Sequence, residues 1–158
     1  MTQQVDLKTK KALLKQQPCF TELTDKEIET LTELLIERQF AAGETIVKVG
    51  EPVDSVYIIA SGTVDVKQPD LSNKQELKSV TTLSTGDAIG LNEKGFYSLS
   101  GERTATVIAK SVAVLLRLSV ATFHGFALTF PHVDEVMRQS AEKFLNIKWT
   151  PRGKSPVE

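Results

Sequence analysis

The chain has 158 residues, 41% hydrophobic and 25% charged, which suits one soluble globular domain with a sizeable core. Nineteen Lys and Arg against 20 Asp and Glu give a net charge of −1, which excludes any bulk pull toward nucleic acid or an anionic membrane. Cys19 is the single cysteine, so there is neither a disulfide framework nor a thiolate metal cluster, as expected in a reducing compartment.

The opening stretch MTQQVDLKTKKALLKQQ lacks the apolar core of a secretory signal. Ser111–Leu118 is apolar but too short to span a membrane, and it carries Arg117. A cytoplasmic protein is expected. Val5–Gln16 follows a basic helical pattern anchored by Leu7, Leu13 and Leu14, and Pro18 stops it. Its lysines Lys8, Lys10, Lys11 and Lys15 read as a solvated face. Thr24-Asp25-Lys26-Glu27 has the form of a capping box, and the helix behind it sets Ile28, Leu31, Leu34 and Leu35 on one face.

From Arg38 the period falls to two. Thr45–Val49, Val56–Ile59, Thr63–Lys67, Glu76–Thr82, Thr104–Ala109 and Val112–Leu118 read as short strands rich in Val, Ile and Thr. Gly43-Glu44, Gly50-Glu51-Pro52, Ser61-Gly62, Pro69-Asp70 and Gly86-Asp87 punctuate them as turns. The pattern predicts a mainly β fold, an antiparallel eight-stranded jelly-roll barrel with flanking α-helices. Two neighbouring pairs read as hairpins: Val56–Ile59 with Thr63–Lys67, and Thr104–Ala109 with Val112–Leu118.

Helical spacing returns after Ser119, an N-cap residue by type, with Phe123, Phe126, Ala127 and Phe130 on one face. Pro131 breaks that helix, and Val133, Val136, Met137, Ser140, Ala141 and Phe144 begin another. The expected division is an N-terminal helix over 1–17, a helix–barrel–helix domain over 18–148 and a tail over 149–158. The tail from Thr150, with its prolines, glycine and charges, is expected to be disordered. Trp149 either caps a ligand, covers core, or does neither.

Chemistry concentrates in one place. Gly86-Asp87-Ala88-Ile89-Gly90-Leu91 is followed by Arg103-Thr104-Ala105-Thr106-Val107, with Arg103 thirteen positions after Gly90. A glycine turn offers backbone N–H groups and an arginine offers a planar fork, which together make an anion pocket. The competing reading makes Arg103 the partner of Glu93 or Glu102 in a loop salt bridge. His124 and His132 are the only histidines, and Pro131 separates them, so no metal pair is expected. This disfavours a cupin-like enzyme, which needs a His/Glu cluster on its strands. No Ser nucleophile elbow, P-loop or catalytic Cys/His pair is present, so no catalytic residue is assigned.

The order helix–barrel–helix and its turn residues resemble the cyclic nucleotide-binding domain family over roughly Phe20 to Val136. The matching positions are Phe20-x-x-Leu23, Gly43-Glu44-Thr45-Ile46, Gly50-Glu51, Val56-Tyr57-Ile58-Ile59, Ser61-Gly62-Thr63-Val64, Leu83-x-x-Gly86-Asp87 and Arg103-Thr104-Ala105-Thr106-Val107. Phe123 and Pro131 fall where the family's C-terminal helix has them. The resemblance implies that Arg103 pairs with a cyclic phosphate, that Gly90 forms the cassette turn, and that Thr104 sets a hydroxyl near the phosphate or a syn guanine. The family's ribose-binding glutamate is replaced by Leu91, which accepts nothing from a hydroxyl, and the cassette is longer than usual. Asn92 and Glu93 are the residues left to reach the ribose.

The ligand-binding set is therefore Gly90, Leu91, Asn92, Glu93, Arg103 and Thr104, for cAMP or cGMP, with no metal or other cofactor. The expected role is a non-catalytic sensor in which nucleotide draws the cassette inward and shifts the helices after Ser119. Its output is an unknown protein partner or a homodimer, with no nucleic acid and no membrane. The alternative is a degenerate member that binds no nucleotide and serves as a protein–protein interaction module.

Overall fold

The computed structural model describes residues 5–70, 72, 76–91, 96, 101–146 and 149. The tail from Thr150 lies outside them.

Helix α1 (Leu7–Lys15) begins at Asp6, whose carboxylate accepts the Thr9 N–H at 2.7 Å. A 3-10 turn at Pro18–Phe20 redirects the chain into α2 (Asp25–Glu33). The capping box forms as expected: the Thr24 hydroxyl accepts the Glu27 N–H, and Glu27 accepts the Thr24 N–H at 2.7 Å. Two expectations for α1 are corrected. Leu7 is not an anchor but is exposed, and Lys10 is buried rather than solvated. The basic face turns toward acidic α2, where Lys11 meets Glu29 at 3.5 Å and Lys15 meets Asp25 at 3.1 Å. Lys15 holds the Asp25 carboxyl below its ordinary range.

Among the described residues eight strands follow: β1 (Ile36–Phe40), β2 (Thr45–Val47), β3 (Ser55–Ser61), β4 (Val64–Pro69), β5 (Leu77–Leu83), β6 (Ala88–Ile89), β7 (Thr106–Ala109) and β8 (Ala113–Ser119). They form two four-stranded antiparallel sheets, in the orders β1-β8-β3-β6 and β2-β7-β4-β5. This is the expected antiparallel fold with flanking helices.

Both hairpin expectations are corrected. β3 and β4 lie in different sheets, as do β7 and β8. The turn between β3 and β4 is a corner where the chain changes sheet. Gly62 makes it possible: its φ is +91°, and a Cβ there would collide with the Val112 carbonyl oxygen. The pairing between sequence neighbours in the second sheet is β4 with β5.

Side-chain alternation along β3 and β8 creates two cores. Val56, Ile58, Val114, Leu116 and Leu118 face the helices. Tyr57, Ile59, Ala113 and Leu115 face the other sheet with Val47, Val64, Ile89 and Val107.

The helix-side core is closed by α3 (Val120–Thr129) and α4 (Pro131–Ser140), followed by a π-helical turn at Ala141–Leu145. Ser119 caps α3 by accepting the Thr122 N–H. Phe20, Phe96 and Phe123 are fully buried, with ring centroids 5.0 to 6.4 Å apart. Such aromatic contacts add roughly 0.5–1.5 kcal/mol each beyond area burial.

Candidate functional site

The site is built where the first sheet's β6 ends and the second sheet's β7 begins. Gly90 follows β6 with φ +94°, and a Cβ there would lie 3.0 Å from Arg103 Nη1 and 3.1 Å from Val56 Cγ1. Only a glycine lets the backbone and the guanidinium approach this closely.

Arg103 is held from both ends. Its N–H donates to the Glu51 carbonyl at 2.7 Å, and its own carbonyl accepts the Gly50 N–H at 2.9 Å. The Val53 N–H donates to the Gly101 carbonyl at 3.2 Å, and Glu102 bridges to Pro52. The segment is thus stapled to the turn before β3, and β7 starts at Thr106 rather than at the expected Thr104.

The Arg103 side chain is 2% exposed. Its Nη2 donates to the Ser55 carbonyl at 2.6 Å and lies 3.9 Å from Asp54 Oδ1, a carboxylate that is largely exposed. Of the two carboxylates in the competing salt-bridge reading, Glu102 is not the partner, since Asp54 takes that place, and Glu93 lies outside the described residues. Arg103 Nη1 is buried and has no hydrogen-bond partner among the described residues. A buried N–H of a charged group without an acceptor is costly, about 1–3 kcal/mol or more.

A cavity of about 220 Å³ opens beside Gly90 and Thr104, walled by Ile89, Ala105, Val66 and Leu83. The structure thus brings Gly90, Thr104 and the Arg103 backbone together. Leu91 goes elsewhere: it is 3% exposed and joins the helix-side core. Asn92 and Glu93 lie outside the described residues. A second cavity, of about 300 Å³, meets the first at Val47 and is bordered by the Arg103 side chain. A groove of about 340 Å³ between α1 and α2 has its Lys11 and Glu29 paired with each other.

The cassette connects physically to the C-terminal helices. Phe96 packs on Phe20 and Phe123, and its carbonyl lies 2.8 Å from Nε2 of buried His124, which therefore carries the proton. Trp149 is buried over His124, with ring centroids 4.5 Å apart, and its indole N–H donates to Asp134. Of the alternatives for Trp149, it covers core. His132 Nδ1 lies 2.9 and 3.0 Å from the two Glu27 carboxylate oxygens and ties α4 to α2. Burial pushes the Glu27 carboxyl up, but the Thr24 N–H and the His132 ring outweigh it and hold the group below its ordinary value.

No helix among the described residues is long and apolar enough to cross a membrane. Sequence reasoning missed the partners of Arg103, since a backbone carbonyl carries no side-chain signature. Only the Asp54-Ser55 position just before a strand offered a signal.

A family model described as the cyclic nucleotide-binding domain matches residues 37–129. A cyclic nucleotide-gated potassium channel of Mesorhizobium japonicum is 30% identical over 125 residues, covering 78% of this chain and 32% of the channel. The N-terminal domain of a transcriptional regulator from Streptomyces coelicolor A3(2) has a similar structure, with a TM-score of 0.74 at 22% identity, covering 85% of this chain and 92% of that one. The regulatory subunit of a cAMP-independent protein kinase A from Trypanosoma brucei matches with a TM-score of 0.65 at 27% identity, covering 87% of this chain and 47% of that one. The chain spans about a third of the length of the channel relatives, 32% and 29%.

Proposed function

The chain belongs to the cyclic nucleotide-binding domain family, and on that footing we propose that it is a non-catalytic sensor that binds cAMP or cGMP in the cavity beside Gly90. The observation that carries this reading is Arg103 Nη1, a buried cationic N–H with no acceptor among the described residues. An anionic phosphate between Nη1 and the backbone N–H groups after Gly90 supplies that acceptor. Thr104 adds a hydroxyl at the cavity rim. The Ile89, Val66 and Leu83 walls give the base an apolar surface. Asn92 or Glu93 takes the ribose hydroxyl that Leu91 does not.

In this reading the signal leaves through packing. A cassette drawn toward the phosphate carries Phe96, which lies against Phe123 and His124 of α3. Trp149 and Asp134 then feel the shift. The recipient is a protein partner or a second copy of the chain, in the cytoplasm.

Calorimetric titration of the nucleotide-stripped chain with cAMP and cGMP tests the proposal. Micromolar or tighter binding is expected, weakened about 100-fold or more in Arg103→Ala, because charge-assisted contacts are lost. No heat and no thermal shift with either nucleotide overturns it.

Two observations favour a second reading, an interaction module that binds no nucleotide. Leu91 is sealed in the helix-side core, and Arg103 Nη2 already has a carbonyl partner. The same titration separates the two.

A further inference from the structure

Arg117 stands on β8, an inner strand of the first sheet, opposite Ile36 on β1 and Tyr57 on β3. Tyr57 lies in the core between the sheets, so Arg117 points toward that interior at its open end. It is half-buried, and among the described residues its side chain makes no ion pair and no hydrogen bond. Its neighbours on that face are the buried Tyr57 and the exposed Ile36, so the guanidinium is open to an incoming anion.

Arg117 lines the cavity of about 300 Å³ together with Arg103, Ser55, Tyr57 and Ile46. The Tyr57 hydroxyl also has no hydrogen-bond partner among the described residues. The two carboxylates at this cavity are exposed and engaged locally. Asp54 accepts the Ser55 hydroxyl at 3.1 Å and lies 3.9 Å from Arg103 Nη2, and Glu51 accepts the Lys48 N–H at 3.1 Å within its turn, so neither is paired with Arg117. Arg38, on the same face of β1, is exposed and adds a like charge. The cavity is thus mostly polar: the open Arg117 guanidinium, the Arg103 guanidinium already held by the Ser55 carbonyl, a phenol, and a small apolar patch from Ile46 and Val47. That is the composition of a site for an anionic head on a short organic body.

We propose that this cavity is a second binding site, for a small organic oxyanion whose carboxylate or phosphate is gripped by the Arg117 fork within reach of Arg103 and Tyr57. Its body rests on Ile46 and Val47. Arg117, Tyr57 and Ile46 do not line the cavity beside Gly90, so the site is separable from nucleotide binding at Arg117, while Arg103 is common to both readings.

The test is a ¹⁵N NMR titration of the full chain with succinate and, separately, with inorganic phosphate, at ionic strength held constant with chloride. Saturable shifts at Ile46, Tyr57 and the Arg117 Nε–H are expected with at least one of the two anions. The apparent Kd rises at least tenfold in Arg117→Gln and by less in Arg117→Lys, which keeps the charge without the fork. The melting temperature of Arg117→Gln is expected not to fall, since the variant removes an unpaired cation, and its cAMP titration to match the parent's. Shifts that stay linear with both anions, or saturable shifts unchanged in both variants, overturn the proposal. Loss of nucleotide binding with the succinate or phosphate response intact overturns only the reading of the Gly90 cavity.

Discussion

The two faces of the first sheet are built to different standards. On the helix side, Phe20, Phe96, Phe123, Leu14 and Met137 are fully buried, and an aromatic cluster ties three segments far apart in sequence. Between the sheets the apolar cluster is smaller, and two cavities and two arginines interrupt it. The same strands supply both faces, so the difference reflects what each face is for. Close packing on one side holds the strands rigid, which lets the other side remain open and charged without collapsing.

The strongest way to break this comparison is Phe123→Ala. It removes a fully buried ring from the closed side and is expected to destabilise by about 3–5 kcal/mol, read as a lower urea midpoint. A loss under about 1 kcal/mol would show that the helix side is not where stability resides. Gly90→Ala is the converse probe. The left-handed backbone and the 3.0 Å approach to Arg103 Nη1 make roughly 1–2 kcal/mol of strain the expected cost. Its effect on nucleotide affinity, measured by calorimetry, should be proportionally larger than its effect on the melting temperature.

The smallest expected effect is electrostatic. The folded-state Glu27 carboxyl titrates below its ordinary value, so its stabilising contribution is present above the unfolded-state pKa. That contribution is lost as pH falls through the lowered folded-state pKa. Urea midpoints measured from neutral pH downward should therefore decline in the parent and decline less steeply in Glu27→Gln. Parallel curves would assign the α2–α4 contact no role in acid sensitivity.

Local chemistry made much of the fold readable. The capping box at Thr24, the cap at Ser119 and the phenylalanine stripe of α3 were legible because each depends on neighbours within one or two turns. The two false hairpins had the same cause as those successes. A short polar turn between alternating strands looks the same whether it reverses within one sheet or crosses to the other, and the deciding contact, Gly62 against Val112, is distant in sequence. β1 escaped because Ile36-Glu37-Arg38-Gln39-Phe40 buries nothing fully, and β6 because it has two residues. Lys8 and Lys15 are exposed as read, whereas Lys10 is buried, and the acidic partners of Lys11 and Lys15 on α2 are distant in sequence.

At the site, the approach of Gly90 to Arg103 was legible by residue type. The Ser55 carbonyl that holds the guanidinium was not, and Arg117 registered in the sequence only as a charge interrupting an apolar run.

The staple at Arg103 has a consequence for how such a domain can diversify. The segment from Leu91 to Gly101 is fastened at its start by a buried leucine, near its middle by Phe96, and at its end by the hydrogen bonds to the turn before β3. Where both ends of a chain segment are held, added length is thermodynamically cheap: doubling a connection costs only about 0.6 kcal/mol. Changes between these anchors can alter what the segment reaches while leaving the arginine where it is. That makes the stretch a place where recognition can be rewritten without refolding the two sheets.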